Sequence, residues 1–499
     1  MTERIYKITR LFVLVALLFS IISGFMASPV SAVKVKAEGV EKEITVFSWE
    51  DYIEEAEDDT ETGVLEDFET ETGIKVNYYT FATCEEMYNE LKKDPTACDI
   101  VCPSEYMILK MKDEGLIKQF NMPENYAQNA SPYIKSVFED LGLSDGERTY
   151  AVGYMWGTMG LIYNMDKYNA EDLNSWSKLY DQKFSGKITI KDSIRDSYIM
   201  SLGIVYKDEL LSLKDKLNSG EILEAEYKEK ISEVFNRVDE KSIREVRDAL
   251  IELKSNLYGF EVDAGKNDIL TGKIDVNFAW SGDAAYAIYE SNEGEGYSKL
   301  GYVVPEEGSN VWFDGWVLTK DADEELALEF MDFMSRPEIA VRNMDYIGYT
   351  SCIAGTEDTS VFDYILDCYG NDEGEYTVDL KYFFDPECTT DAYVVRTDEI
   401  GRQFSAQYPT EQEILRCAVM NNFSAQELEL VNKMWNEVKL ITLSDLALIL
   451  ILVLIVLVVL FLVAYKYFPQ IFVIKKKNAK RFGQKKGWKV VKIENFDTN

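Results

Sequence analysis

The sequence predicts an α/β protein of two lobes with a helical insertion, bounded at each end by an apolar membrane segment. Three observations carry this expectation. Strand and helix patterns alternate from Glu43 to Glu114. A chain of 499 residues with 46% hydrophobic and 13% aromatic content has enough material for more than one packed core. The run Leu446 to Tyr465 is uncharged and apolar throughout, and about 20 such residues span a bilayer.

At the amino terminus, Arg4, Lys7 and Arg10 precede an apolar run from Leu11 to Phe19 that continues through Ile21 and Ile22. Ser28-Pro-Val-Ser-Ala32 follows with small residues, so residues 1–32 read as a signal peptide cleaved after Ala32, or as an uncleaved anchor. No cysteine follows that run to carry a lipid. Glu43 to Ser48 reads as a strand, Thr62 to Thr72 as a helix closed by Gly73, and Ile74 to Tyr79 as the next strand. Cys84 to Lys93 reads as a helix stopped by Asp94-Pro95, and Asp99 to Cys102 as a short buried strand. Ser104 is placed to N-cap a helix running to Glu114.

This βαβαβ order implies a parallel sheet, in which ligands bind beyond the carboxyl ends of the strands. Trp49-Glu50-Asp51-Tyr52 follows the first strand and Ser104-Glu105-Tyr106 the third, so topology brings both clusters to one site. Residues 208–255 are charged, free of proline and patterned as two or three amphipathic peripheral helices. Beyond the apolar run of 443–465, residues 466–499 carry ten Lys and Arg against Glu494 and Asp497. By the positive-inside rule this basic tail is cytoplasmic, and the domain from residue 33 to about 440 lies outside.

Composition excludes several chemistries. There is no histidine, which removes the commonest metal ligand and general base. No CxxC pair occurs among the seven cysteines, and Cys98 and Cys102 lie too far apart along a strand for a disulfide. No metal, cofactor or catalytic residue is therefore expected. The net charge of −36, set against a basic tail, leaves the outside domain more acidic still. Such a surface repels nucleic acid and attracts cations.

The outside domain carries the motifs Val46-Phe-Ser-Trp49-Glu-Asp-Tyr52, Phe68 to Val76, Asp99 to Tyr106, Gly153-Tyr-Met-Trp-Gly157, Ala279-Trp-Ser-Gly-Asp283, Val311-Trp-Phe-Asp314 and Ile347-Gly-Tyr349. On these it resembles the spermidine/putrescine-binding proteins of polyamine ABC importers. The resemblance implies the two-lobed, type II periplasmic-binding-protein-like fold, whose lobes close over the ligand about crossing strands. It assigns residues 43–157 and 313–350 to the first lobe and 158–312 and 351–440 to the second. It implies an aromatic box of Trp49, Tyr52, Trp280, Trp312 and Tyr349, polar lining from Ser104 and Tyr106, and Asp314 as the carboxylate anchoring an ammonium. Asp51 and Asp283 fall where putrescine-type members place carboxylates, and Asp196 near another acidic position; Glu50 stands where a small hydroxyl residue is typical. Ser193, where spermidine-type members often carry an acid, leaves putrescine and spermidine both open.

The chemistry is coherent without the family. Aromatic faces cover methylenes and attract cations, while carboxylates take charge-assisted bonds from ammonium ends. The expected partners are a polyamine, the permease and ATPase subunits of the importer, and the membrane. Two other functions stay open: the same fold carrying another cationic solute or serving as a sensor, and a carboxylate-based surface hydrolase.

Overall fold

The computed structural model describes residues 42–56, 62–294, 297–356, 360–440, 452–460 and 462. The expected signal segment of residues 1–32 and the basic tail therefore lie outside the described residues, as does much of 443–465. Residues 452–460 are helical, with apolar side chains such as Leu452, Ile455 and Leu460 exposed. Among the described residues no helix is long and apolar enough to cross a membrane.

Strand β1 (Lys42–Trp49) alternates buried and more open side chains along its length and pairs in parallel with β2 (Ile74–Phe81) and β3 (Ile100–Val101). The connecting helices are Val64–Thr72, closed by Gly73 at φ 69°, and Cys84–Lys93, capped by the Thr83 hydroxyl. A left-handed residue at that end favours glycine, since it carries no Cβ. This opening order agrees with the sequence reading.

The parallel sheet expected from the motif ends there. Strand β4 (Ala151–Asn164) is buried along all 14 residues. Beyond it lie β5 (Ile188–Lys191), β6 (Leu257–Glu261) and β7 (Val276–Trp280), with β5 parallel to both of the others. Strand β8 (Leu300–Val303) pairs antiparallel with β4, as do β7, β9 (Val311–Leu318) and the short β10 (Thr350–Ser351). Strand β9 also runs antiparallel to β3. The sheet is therefore mixed, with path order β2-β1-β3-β9-β4-β7-β5-β6. Two parallel sets, one at each end, are joined through the antiparallel centre. Strand β4 pairs with β9 through Thr158 and with β7 from Met159 onward, so it runs out of one half into the other. Strands β4 and β9 are the crossing strands.

The segment 208–255 forms three helices, Lys207–Asn218, Glu224–Phe235 and Glu240–Lys254. Their apolar faces, including Leu210, Ile231, Val246 and Leu250, are buried, and they pack with the helix Ile194–Val205. The segment after Ser351, assigned above to the second lobe, bonds to both halves. Ser131 at the start of helix Pro132–Asp140 donates its amide to the Cys352 carbonyl and its hydroxyl to the Phe383 carbonyl, and Phe383 stacks on Trp156 at 5.4 Å. Farther on, Tyr302 donates to the Gly401 carbonyl and Val311 to that of Ala418. All seven cysteines are free.

Candidate ligand-binding cleft

The chemistry of the site centres on Asp314. It lies on crossing strand β9, where the register against β4 shifts between Asp314 and Gly315. A bulge bends a strand and re-aims its side chain. The Tyr52 hydroxyl donates to Asp314 Oδ2 at 2.6 Å and the Ser104 hydroxyl to Oδ1 at 2.7 Å. These donors stand just past the carboxyl ends of β1 and β3, where the topology rule places ligand contacts. Ser104 does occupy the N-cap position of helix Glu105–Asp113, but its side chain makes no capping bond. Its hydroxyl is committed to Asp314 instead. Tyr154 fixes the turn by donating to the Tyr52 carbonyl at 2.6 Å.

Asp314 is only 6% exposed. Burial pushes its acid up to about 6, while the Tyr52 and Ser104 hydroxyls favour the carboxylate. At neutral pH it is thus an ionised, desolvated carboxylate. Burial and the neighbouring Asp314 charge hold the Tyr52 phenol far above its ordinary range, so it remains a donor.

Three rings stand beside this carboxylate. Tyr349 meets Tyr52 edge to face at 5.8 Å and Trp312 at 5.6 Å. Trp312 donates its indole N–H to the Thr158 carbonyl at 3.2 Å. Glycines admit both rings. A Cβ on Gly157 would lie 2.9 Å from Trp312, and one on Gly282 1.9 Å from Tyr349. The Tyr349 hydroxyl then reaches Asp283 Oδ1 at 3.3 Å. Asp283 sits in the first turn of helix Ser281–Glu293, where the helix dipole favours an anion. A continuous row of contacts thus runs Ser104, Asp314, Tyr52, Tyr349, Asp283.

The remaining expected residues sit apart from that row. Trp49 packs on Phe81 at 4.6 Å, with its indole nitrogen buried and without a partner. Glu50 and Asp51 are exposed in the turn after β1, with Asp51 in the left-handed region at φ 52°. Among the described residues, no hydrogen bond or ring contact joins these three to Asp314. Tyr106 lies under the Arg195 guanidinium at 3.8 Å, with Phe423 4.5 Å from the same cation. Asp196 is buried, which pushes its acid up, with the Ser193 hydroxyl and Lys191 opposing. Trp280 faces Lys191, whose Nζ is 4.0 Å from the ring centroid.

Sequence reasoning missed two cations and an acid. Lys191 is 1% exposed and Arg195 is half-buried, in a region expected to receive a cation. Glu105 is also buried; one of its oxygens accepts from the Phe313 amide at 3.4 Å and the other has no partner. Burial and the nearby Asp314 push its acid well up, which favours the protonated form. The available signal was position: Lys191 closes an apolar strand, and Glu105 directly follows Ser104.

Two α/β halves joined by crossing strands, with aromatic rings and a buried carboxylate at their shared strand ends, define a binding protein that encloses a small solute. The chain belongs to the bacterial extracellular solute-binding proteins, whose family model matches residues 63–363. It is 27% identical over 308 residues to the spermidine/putrescine-binding periplasmic protein of Escherichia coli (strain K12), covering 61% of this chain and 75% of that protein. It is 24% identical over 345 residues to the putrescine-binding periplasmic protein PotF of the same organism, covering 66% and 83%. The crystal structure of the spermidine/putrescine ABC transporter substrate-binding protein PotD from Streptococcus pneumoniae superposes with a TM-score of 0.54 at 23% identity, covering 80% of this chain and 98% of that one. These relatives are solute-binding transport proteins, not enzymes.

Proposed function

We propose that this chain is the extracellular, membrane-tethered solute-binding subunit of an ABC importer for polyamines, and that it catalyses no reaction. The observation that carries the reading is Asp314: a buried carboxylate aimed by two hydroxyls beside the rings of Tyr52, Trp312 and Tyr349. A primary ammonium bonds Asp314 while the aliphatic stem lies along the rings, each ring adding roughly 0.5–2 kcal/mol. The names of the relatives support the same solute class. The permease, assembled with its ATPase subunits, then receives the solute, and the apolar run Leu446 to Tyr465 holds the domain at the membrane with the basic tail inside.

The test is titration calorimetry on the full chain in detergent. Putrescine or spermidine is expected to bind in the micromolar range or tighter, and an anionic solute such as glutamate not at all. Absence of heat with both polyamines at millimolar concentration sinks the reading.

The Asp314 acid, raised to about 6, adds a pH signature. Protonation suits the ligand-free fold, so its contribution to stability is full below about pH 4 and is lost as pH rises through about 6. A bound ammonium requires the opposite state. Affinity is therefore expected to fall about tenfold between pH 7 and pH 5, with proton release on binding near pH 6. Calorimetry in buffers of different ionisation enthalpy measures both; a flat profile contradicts the role of Asp314.

A further inference from the structure

The far end of the row already holds a cation. Lys191 ends β5, and its Nζ lies 3.0 Å from Asp283 Oδ2 and 3.3 Å from Glu261 Oε1. It also donates to the Val262 carbonyl at 2.8 Å, over the face of Trp280. An ammonium has three donors, and three acceptors surround this one. Burial draws Lys191 towards neutrality, but Asp283 and Glu261 outweigh it and keep the group charged. A primary ammonium on an aliphatic stem, against an indole face and two carboxylates, is chemically what a polyamine end would offer there. Tyr349 links this station to Asp314, touching Asp283 with its hydroxyl and Tyr52 with its ring.

Resting on the polyamine reading, we propose that Lys191 is a specificity-determining residue: its ammonium fills the Trp280–Asp283 cation station, so the site takes one ammonium at Asp314 and disfavours longer polyamines with further charges. A second ammonium pushed towards Trp280 meets a like charge in a desolvated place, and every such approach weakens binding. The diamine, with one ammonium fewer to place, is the preferred ligand over the triamine.

Calorimetry on the full chain in detergent, with putrescine and spermidine as probes, tests this. The unaltered protein is expected to favour putrescine. Lys191→Gln removes the charge over Trp280 and leaves Asp283 Oδ2 and Glu261 Oε1 to a ligand ammonium, with Lys266 still 3.7 Å from Asp283 Oδ1. The spermidine-to-putrescine affinity ratio then rises roughly tenfold or more, the worth of one charge-assisted bond. Adding Asp283→Asn to that variant removes most of the gain. Should Lys191→Gln fail to fold, as its melting curve reports, Lys191→Met decides, since it keeps an aliphatic stem against Trp280 and drops the charge; the same roughly tenfold rise in the ratio is expected. An unchanged ratio in whichever variant folds overturns the proposal while leaving the polyamine reading intact. No heat with either polyamine in either protein overturns both.

Discussion

Asp314→Asn is expected to weaken polyamine binding by roughly a hundredfold or more, and Ser104→Ala by roughly tenfold at most. Both side chains share one hydrogen bond, of 2.7 Å, so they differ in what the ligand loses. The asparagine presents no charge, and an ammonium taken into the cleft is left desolvated without a counter-ion. Removing one partner of a buried pair typically costs about 3–5 kcal/mol, whereas a single hydrogen bond is worth about 1 kcal/mol. Ser104→Ala leaves the carboxylate and its Tyr52 donor in place. The ligand-free fold should respond in the opposite sense. The Asp314 acid is raised from 3.8 to about 6 by burial, so at pH 7 its charge opposes folding by about 3 kcal/mol. Neutral asparagine relieves this, and the apparent melting temperature should hold or rise while affinity collapses. Parallel titrations and melts on the two variants measure the split. Equal affinity losses would contradict Asp314 as the anchor, and a large drop in melting temperature would assign it a structural role instead.

What the sequence reveals about this site depends on how far apart the contributing residues lie. Tyr52 and Ser104 follow strands whose alternation is readable from ten residues of context, and strand ends in a parallel set point to one edge. Their meeting with Asp314 is a pairing across 262 and 210 residues. It was accessible only because Trp312 and Asp314 match a family motif. Lys191 had no such help. A lysine closing Ile188–Lys191 reads as a solvated strand end, and its inward turn is decided by Asp283, 92 residues away, and by Glu261. Trp49 shows the limit of a strand-end argument: an aromatic at the expected strand end packs on Phe81, its partner in the β1–β2 register. The mixed centre of the sheet was illegible for the same reason. The motif Val311-Trp-Phe-Asp314 marks this stretch, but nothing local says that the strand Val311–Leu318 inserts antiparallel between β3 and β4. Helices read better, since Cys84–Lys93 carries its cap, its apolar stripe and its stop within its own sequence.

Truncation after Leu440 is expected to move the protein from the membrane fraction to the medium almost completely. The sequence from Leu446 to Tyr465 carries no charge, and Lys466, Lys475-Lys476-Lys477 and Lys480-Arg481 follow it. About 20 apolar residues cross a bilayer core, and moving basic clusters through it is strongly disfavoured, so on the proposed reading the tail stays inside. Within that run the described residues 452–460 are helical, and their Leu, Ile and Val side chains are about half exposed, an apolar surface that lipid would cover. The ordered sheet and its ligand cluster lie wholly before residue 432, within a separate compact unit, so the shortened protein should fold and bind polyamine with unchanged affinity. Uptake should nevertheless fall steeply. A tethered carrier meets its permease at an effective concentration in the millimolar range for a short linker, and a released one is diluted into the surroundings. Fractionation of washed cells, titration of the released domain and uptake of labelled polyamine check the three parts separately. Retention of the truncated protein at the membrane would mean that residues 1–32 remain as an anchor, which amino-terminal sequencing at Val33 decides; release with uptake undiminished would remove the functional argument for the tether.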